Sequence, residues 1–158
     1  MPTITWTDVG TLSLTDELMT GPWVKVAETL GDATLLRITA DGRWSPLGPW
    51  TAECDPNGIG AIQVVAGQLM LPEAPLGALI AKIGGSSVTL AGWPSAAPAA
   101  GATATATGAD GKPFAVGTLC ILPLPRVVLG PVFVGINSVM RPVRVTSLNV
   151  TVSTAAPT

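Results

Sequence analysis

The chain has 158 residues, of which 47% are hydrophobic and 11% are charged, with a formal net charge of −2 and no histidine. Charged residues make up about 25% of a typical soluble domain, so this chain has few of them. Without histidine, neither a Ser-His-Asp triad nor a histidine metal site can form within one chain. Because there is no basic surplus, a nucleic-acid partner is disfavoured. We therefore expect a protein that is not an enzyme, with no catalytic residues, no metal and no cofactor.

The mean hydropathy of +0.52 raises the question of membrane insertion. No apolar run reaches the roughly 20 residues that a spanning helix needs, since Gly, Pro, Lys82 and Arg126 interrupt the longest ones. The first residues lack both the basic and the apolar region of a signal peptide. We expect no membrane insertion, no signal peptide and synthesis in the cytoplasm. Cys54 and Cys120 could pair or stay free, although a cytosolic chain normally keeps its thiols reduced.

Short segments with alternating apolar and polar residues predict β-strands throughout the chain. In chain order they lie at 3–7 (with Ile4 and Trp6 facing the core), 24–26, 36–38, 143–145 and 148–153. Continuously apolar segments at 78–81 and 132–134 predict strands covered on both faces. Gly, Asn, Asp and Pro predict turns between strands at 31–32, 41–42, 56–58, 84–85, 110–111 and 130–131.

This pattern predicts an all-β fold, a single β-sandwich jelly roll of about eight strands, over residues 1–152. A low-complexity insertion loop at 86–110 consists mainly of small uncharged residues. It is either a plain surface loop or an arm that orders on a neighbouring subunit, where the Thr-Ala alternation at 103–107 could add a strand to a sheet edge. Residues 153–158 are expected to form a polar C-terminal tail.

Side-chain oxygens at Glu53, Asp55 and Asn57, followed by Gly58, are similar to the start of a calcium loop. The pattern fails at position 64, where valine stands in place of the closing glutamate, so a turn is the better interpretation.

The chain contains five tryptophans, and their rings can either fill a core or stack on sugars. Trp44 ends an alternating segment and is predicted to lie in the core. Trp93 lies in the insertion loop, just before its low-complexity stretch at 95–109, and is the best candidate for an exposed ring, while Trp50 is open to either interpretation.

Three segments together resemble the bacterial galactophilic lectins and their relatives with a galactose-binding-like jelly roll. They are residues 35–44, residues 74–84 continued after an insertion by 111–117, and residues 130–137. The resemblance implies a calcium ion that contacts sugar hydroxyls just after the last segment. Asn137 matches the lectin pattern, but Ser138 stands where the family has an aspartate, and 139–144 replaces an oxygen-rich loop. Since calcium needs six to eight oxygen ligands, we expect calcium-dependent galactose binding to be lost.

Taken together, these features predict a non-catalytic lectin-like structural or decoration subunit of a multi-copy assembly, such as a phage virion or a similar surface assembly. Its partners are expected to be further copies of the chain or other subunits of that assembly, because apolar, weakly charged surfaces favour association. The alternative is a calcium-independent carbohydrate-binding module, with a glycan held by Trp50, Trp93, Asn137 and Ser138.

Overall fold

The computed structural model describes residues 3–47, 52–60, 69–85, 113–124, 130–139 and 143–156. Within these residues the chain forms eight strands and no helix. Accordingly, the described part of the chain contains no helix of the length and hydropathy that crossing a membrane requires. The strands are β1 Thr7–Met19, β2 Val24–Ala27, β3 Leu35–Ser45, β4 Leu79–Ile83, β5 Phe114–Ala115, β6 Leu119–Pro123, β7 Val132–Ile136 and β8 Val143–Ala155.

The strands form two four-stranded sheets. Sheet I has the order β1-β8-β3-β6 and sheet II the order β2-β7-β4-β5. Every pairing is antiparallel. The prediction of an all-β sandwich with about eight strands is confirmed, while its jelly-roll connectivity stays a prediction.

The main core lies between the sheets, and a smaller one lies on the outer face of sheet II. The inner faces of β3, β4, β7 and β8 supply fully buried aliphatic side chains and Trp44, which is 0% exposed, as predicted. The smaller core consists of Trp23, Met70, Ala74, Ala78, Ile80 and Phe133. The apolar segments at 78–81 and 132–134 are therefore buried throughout, as expected for strands covered on both faces.

Lys82 is a lysine buried among apolar side chains of the smaller core. It lies on β4 with no exposed surface, and its Nζ is 4.9 Å from the centre of the Trp23 ring and 5.2 Å from that of Phe133. Two aromatic faces at this distance attract an ammonium group through their ring quadrupoles. The rings thus offset part of the cost of burying the lysine.

Three local predictions differ from the structure. The first strand begins at Thr7, whereas Ile4 precedes it and is 50% exposed. Thr7 pairs with Thr154, and β8 ends one residue later at Ala155. The residues before Thr7 therefore have almost no strand with which to pair. At the other end, β8 continues through residues 153–155, which are buried and belong to the sandwich instead of a polar tail.

The dipeptide Asp41-Gly42 was expected to form a turn, but it lies inside β3. Gly42 has a φ of 143°, and a Cβ there would collide with the Ser147 carbonyl oxygen on β8. Glycine therefore serves here to let two paired strands approach closely. The strand continues to Ser45 because β8 pairs with it along its whole length.

Candidate functional site

Asn137 follows β7 directly and has no exposed surface. Its Nδ2 donates to the carbonyl oxygens of Leu71 at 2.9 Å, Ala74 at 3.0 Å and Pro75 at 3.1 Å. Its Oδ1 accepts a hydrogen bond from the Leu71 backbone N–H at 2.8 Å. The carboxamide thus supplies both its donor and its acceptor groups to the backbone of a segment that has no regular strand pairing of its own.

Residues 69–78 form this segment, the covering segment. The Asn137 backbone also binds it, since its N–H donates to Ala78 O at 2.9 Å and its carbonyl accepts from Gly77 N at 3.0 Å. Buried backbone groups need such partners, because leaving one unsatisfied costs roughly 1–3 kcal/mol. Asn137 therefore acts as a scaffold for the covering segment.

The other candidate binding residues divide into two groups. Ser138 is 0% exposed, and its N–H donates to the Ile136 carbonyl at 2.7 Å. Trp50 and Trp93 lie outside the described residues, as does the loop at 86–110. In this conformation a sugar reaches Asn137 only if the covering segment moves away, and carbohydrate binding through the two tryptophans stays a prediction.

Trp44 holds the same covering segment from sheet I. Its Nε1–H donates to the Gly77 carbonyl at 2.8 Å, and the Cys54 thiol lies 3.6 Å from the same oxygen. An isolated β-bridge joins Trp44 to Cys54, with backbone hydrogen bonds of 3.1 and 2.8 Å. Two residues, Trp44 from sheet I and Asn137 after a strand of sheet II, thus hold one segment and both contact Gly77. Alternation along the chain does not reveal this long-range role.

The acidic stretch after Cys54 forms a turn, as predicted. The Asp55 carboxylate accepts a hydrogen bond from Asn57 N–H at 2.8 Å, and the Gly58 N–H donates to the Asp55 carbonyl at 3.0 Å. An open cleft of about 380 Å³ lies beside it, lined in part by Arg43, Glu53 and Asp55. Within the described residues no cluster of three or more metal-ligating side chains occurs. The role of the Asp55 carboxylate is therefore to stabilise this turn.

The Cys54 thiol borders the cleft but stays protonated. Burial, helped by the nearby Asp55 carboxylate, raises its pKa from 9.0 to about 12, although Arg43 acts in the opposite direction. Burial also raises the pKa of Cys120. Both thiols are free in the structure. Because the thiolate is the reactive form, Cys54 is a structural residue and not a nucleophile at neutral pH.

A stability measurement against pH tests this assignment. Below pH 9 the Cys54 thiol is protonated in both the folded and the unfolded chain, so its contribution to stability is fully present. As the pH rises from 9 towards 12 the unfolded chain loses the proton and the folded chain keeps it, so stability falls by up to about 1.4 kcal/mol per pH unit. Urea unfolding at several pH values should show this slope, and Cys54→Ala should remove most of it. An equal slope in both proteins would contradict the assignment.

Over β1, β8 and β3 the outer face of sheet I is mainly polar. In one row across three strands, Ser13 Oγ donates to Asn149 Oδ1 at 2.8 Å, and Asn149 Nδ2 donates to Asp41 Oδ1 at 2.9 Å. Such cross-strand pairs on an exposed face contribute roughly 0.2–1 kcal/mol each. The row stabilises the sheet, and its groups bind one another.

A second row on this face brings an aromatic ring to the sheet. The Arg37 guanidinium lies 4.5 Å from the centre of the Trp6 ring, and its Nη2 is 3.5 Å from Ser153 Oγ. The Ser153 hydroxyl in turn donates to Asp8 Oδ1 at 2.6 Å. The alternation at 3–7 predicts that Trp6 faces the core, and this prediction is wrong: Trp6 precedes β1, and its half-buried ring lies on Arg37 at the outer face.

The edge strand β6 has a different character. Leu119 and Ile121 point to solvent with 56% and 54% of their surface exposed, and the strand contains no charged residue. Among the described residues, β6 pairs with β3 alone, so its other edge is open. The opposite edge strand, β1, carries Asp8, Asp16 and Glu17. Charged residues on an edge discourage pairing with another chain, so within sheet I β6 is the edge that lacks this protection.

These features define a two-sheet antiparallel β-sandwich with an outer face on sheet I that is polar except on β6, an uncharged β6 edge and a covering segment held from both sheets. No protein-family model and no curated protein matches the chain. The resemblance to galactophilic lectins therefore stays a prediction.

Proposed function

We propose that the chain is a non-catalytic structural subunit, a lectin-like jelly-roll sandwich that associates with further copies of itself in a larger assembly such as a virion or another surface structure. The observation that carries this proposal is the open β6 edge, where Leu119 and Ile121 are more than half exposed and no charge is present. An open, apolar strand edge favours pairing with another chain.

The chemistry of the described residues supports a role without catalysis. The chain has no histidine, and the Cys54 thiol has a pKa raised to about 12. The Asp55 carboxylate stabilises a turn, and those of Asp8 and Asp41 accept hydrogen bonds from neighbouring side chains. These groups support the sandwich, and none of them is an activated nucleophile or base.

The proposal predicts self-association that persists at high salt. Light scattering coupled to size-exclusion chromatography should give a mass of at least twice the 16.0 kDa chain, increasing with protein concentration. Apolar and backbone contacts are not screened by salt, whereas surface ion pairs are, so the mass should be retained in concentrated salt. A mass of one chain at every concentration would overturn the proposal.

A further inference from the structure

Along β6 the backbone N–H and C=O groups point alternately towards β3 and away from it, as the hydrogen bonds to β3 show. Leu124 N–H donates to the Thr34 carbonyl at 2.8 Å, and Ala40 N–H donates to the Thr118 carbonyl at 3.0 Å. Between these two contacts the register pairs Leu36 with Leu122 and Ile38 with Cys120. Since hydrogen-bonded and non-bonded pairs alternate in an antiparallel ladder, the even-numbered residues of β6 direct their backbone groups towards β3. The odd-numbered residues 119, 121 and 123 direct theirs outward.

The side chains follow the same alternation, one face against the core and one in solvent. Cys120 and Leu122 pack against the main core, whereas Leu119 and Ile121 are exposed. The open edge of β6 thus presents two backbone N–H groups, from Leu119 and Ile121, because Pro123 has none. These two residues lie symmetrically on either side of Cys120.

A second copy of the chain fits this edge better than a charged partner does. Residues 119–123 carry no charge, so two such edges meet without repulsion and offer nothing for a charged partner to recognise. The acidic β1 edges would instead bring like charges together, and Asp16 there has one cationic neighbour, Arg144, at 4.0 Å. An antiparallel copy related by a two-fold axis at Cys120 places Leu119 opposite the partner's Ile121, so both outward N–H groups of each strand find a carbonyl.

We propose that two copies pair through β6 about a two-fold axis at Cys120, which joins their two four-stranded sheets I into one eight-stranded sheet. This interface rests on the proposed function, since it names the contact through which copies associate. In this register the two Cys120 residues form a non-hydrogen-bonded pair with Cα atoms about 4.5 Å apart. That separation lies within the range that a disulfide spans. The alternative register, centred on Ile121, would set Pro123 opposite Leu119 and leave the Leu119 carbonyl without a donor.

Cys120 therefore serves as a reporter of the interface. Diamide oxidises two thiols to one disulfide and takes up the two electrons and two protons that are released. At mildly alkaline pH it should convert the native assembly into covalent dimers on a non-reducing gel. Cys120→Ser should abolish these dimers. The buried Cys54 leaves a thiol in that variant, so it controls for non-specific oxidation.

A charge placed on the edge tests the same interface without chemistry on cysteine. Ile121→Lys should halve the mass of a dimer, because each ammonium group would lie opposite the partner's apolar Leu119 and on the diagonal from the second ammonium group, about 7–8 Å between Cα atoms. Leu18→Lys is the matched control, since Leu18 has the same 54% exposure on the opposite edge strand, and its mass should equal that of the wild type. Both sites are exposed, and circular dichroism should show that both variants keep their strands.

The outcomes separate the two proposals. Dimers that crosslink through Cys120 and dissociate with Ile121→Lys support the β6 interface. An assembly that persists in Ile121→Lys, gives no Cys120 crosslink, or dissociates equally with Leu18→Lys overturns the β6 interface and leaves self-association intact. A wild-type protein that is monomeric at every concentration overturns the proposed function itself.

Discussion

Replacing Asn137 with alanine is expected to lower the free energy of unfolding by about 3–5 kcal/mol, because several buried backbone groups lose their partner together and each costs roughly 1–3 kcal/mol. The side chain binds one N–H and three carbonyl groups of the covering segment, all within 3.1 Å. Water has little access to replace it, since the residue has no exposed surface. Urea unfolding measures the loss, and amide hydrogen exchange at Leu71 should accelerate before the sheets open.

Two further variants test whether the hydrogen bonds of Asn137, and not the volume of its side chain, account for this loss of stability. Asn137→Asp keeps the shape and can still accept from Leu71 N–H, but its carboxylate would face the carbonyl oxygens of Leu71, Ala74 and Pro75. It should therefore destabilise the fold at neutral pH at least as much as alanine does. Asn149→Ala is the control, because its hydrogen bonds to Ser13 and Asp41 are exposed, and its cost should stay below about 1 kcal/mol. Equal costs at positions 137 and 149 would show that Asn137 is not a scaffold.

Alternation made the interior of the sandwich predictable. The segments at 36–38, 78–81, 132–134 and 143–145 face the core as their patterns indicate, because burial on one or both faces dictates apolar residues at fixed spacing. Trp44 follows the same rule. The burial of these segments depends on the pattern of adjacent residues along the chain, and a single sequence is enough to show that pattern.

Features that depend on distant contacts were not predictable in the same way. Strand β1 is mostly exposed and interrupted by Gly10 and the acidic pair Asp16-Glu17, so its pairing with β8 leaves a weak pattern. Asp41-Gly42 has turn residues, yet the pairing of β3 with β8 determines its conformation.

The sequence makes Asn137 a candidate binding residue, and that role stays a prediction; its scaffold role could not be predicted from a single sequence. Its partners lie 62 to 66 residues earlier in the chain, so the fold of the covering segment had to be known first. Ser138, next to Asn137, is compatible with this scaffold, since its backbone N–H donates to the Ile136 carbonyl in the local turn. A residue that resembles part of a binding site can therefore have a purely structural role.

The second large effect is expected at Trp44, where alanine should cost about 3–5 kcal/mol, the usual range for removing a buried aromatic ring. The ring is 0% exposed between the sheets, and its Nε1–H is bound to the Gly77 carbonyl at 2.8 Å. Trp44→Phe removes the donor and keeps most of the ring, so it should cost about 1–3 kcal/mol, the penalty of one buried carbonyl that loses its partner. Urea unfolding of the three proteins measures both terms.

The matched control is Trp6→Ala, because Trp6 is half-buried on the surface of sheet I and contacts the Arg37 guanidinium. An exposed cation–π contact contributes about 0.5–1 kcal/mol, so this variant should stay close to the wild type. Combining Trp44→Phe with Asn137→Ala tests whether the two side chains act on one structural unit. If the covering segment is already released by Asn137→Ala, the further cost of Trp44→Phe should be clearly smaller than its cost alone. Strictly additive costs would mean that the segment is held at two independent points, and that its ends open separately.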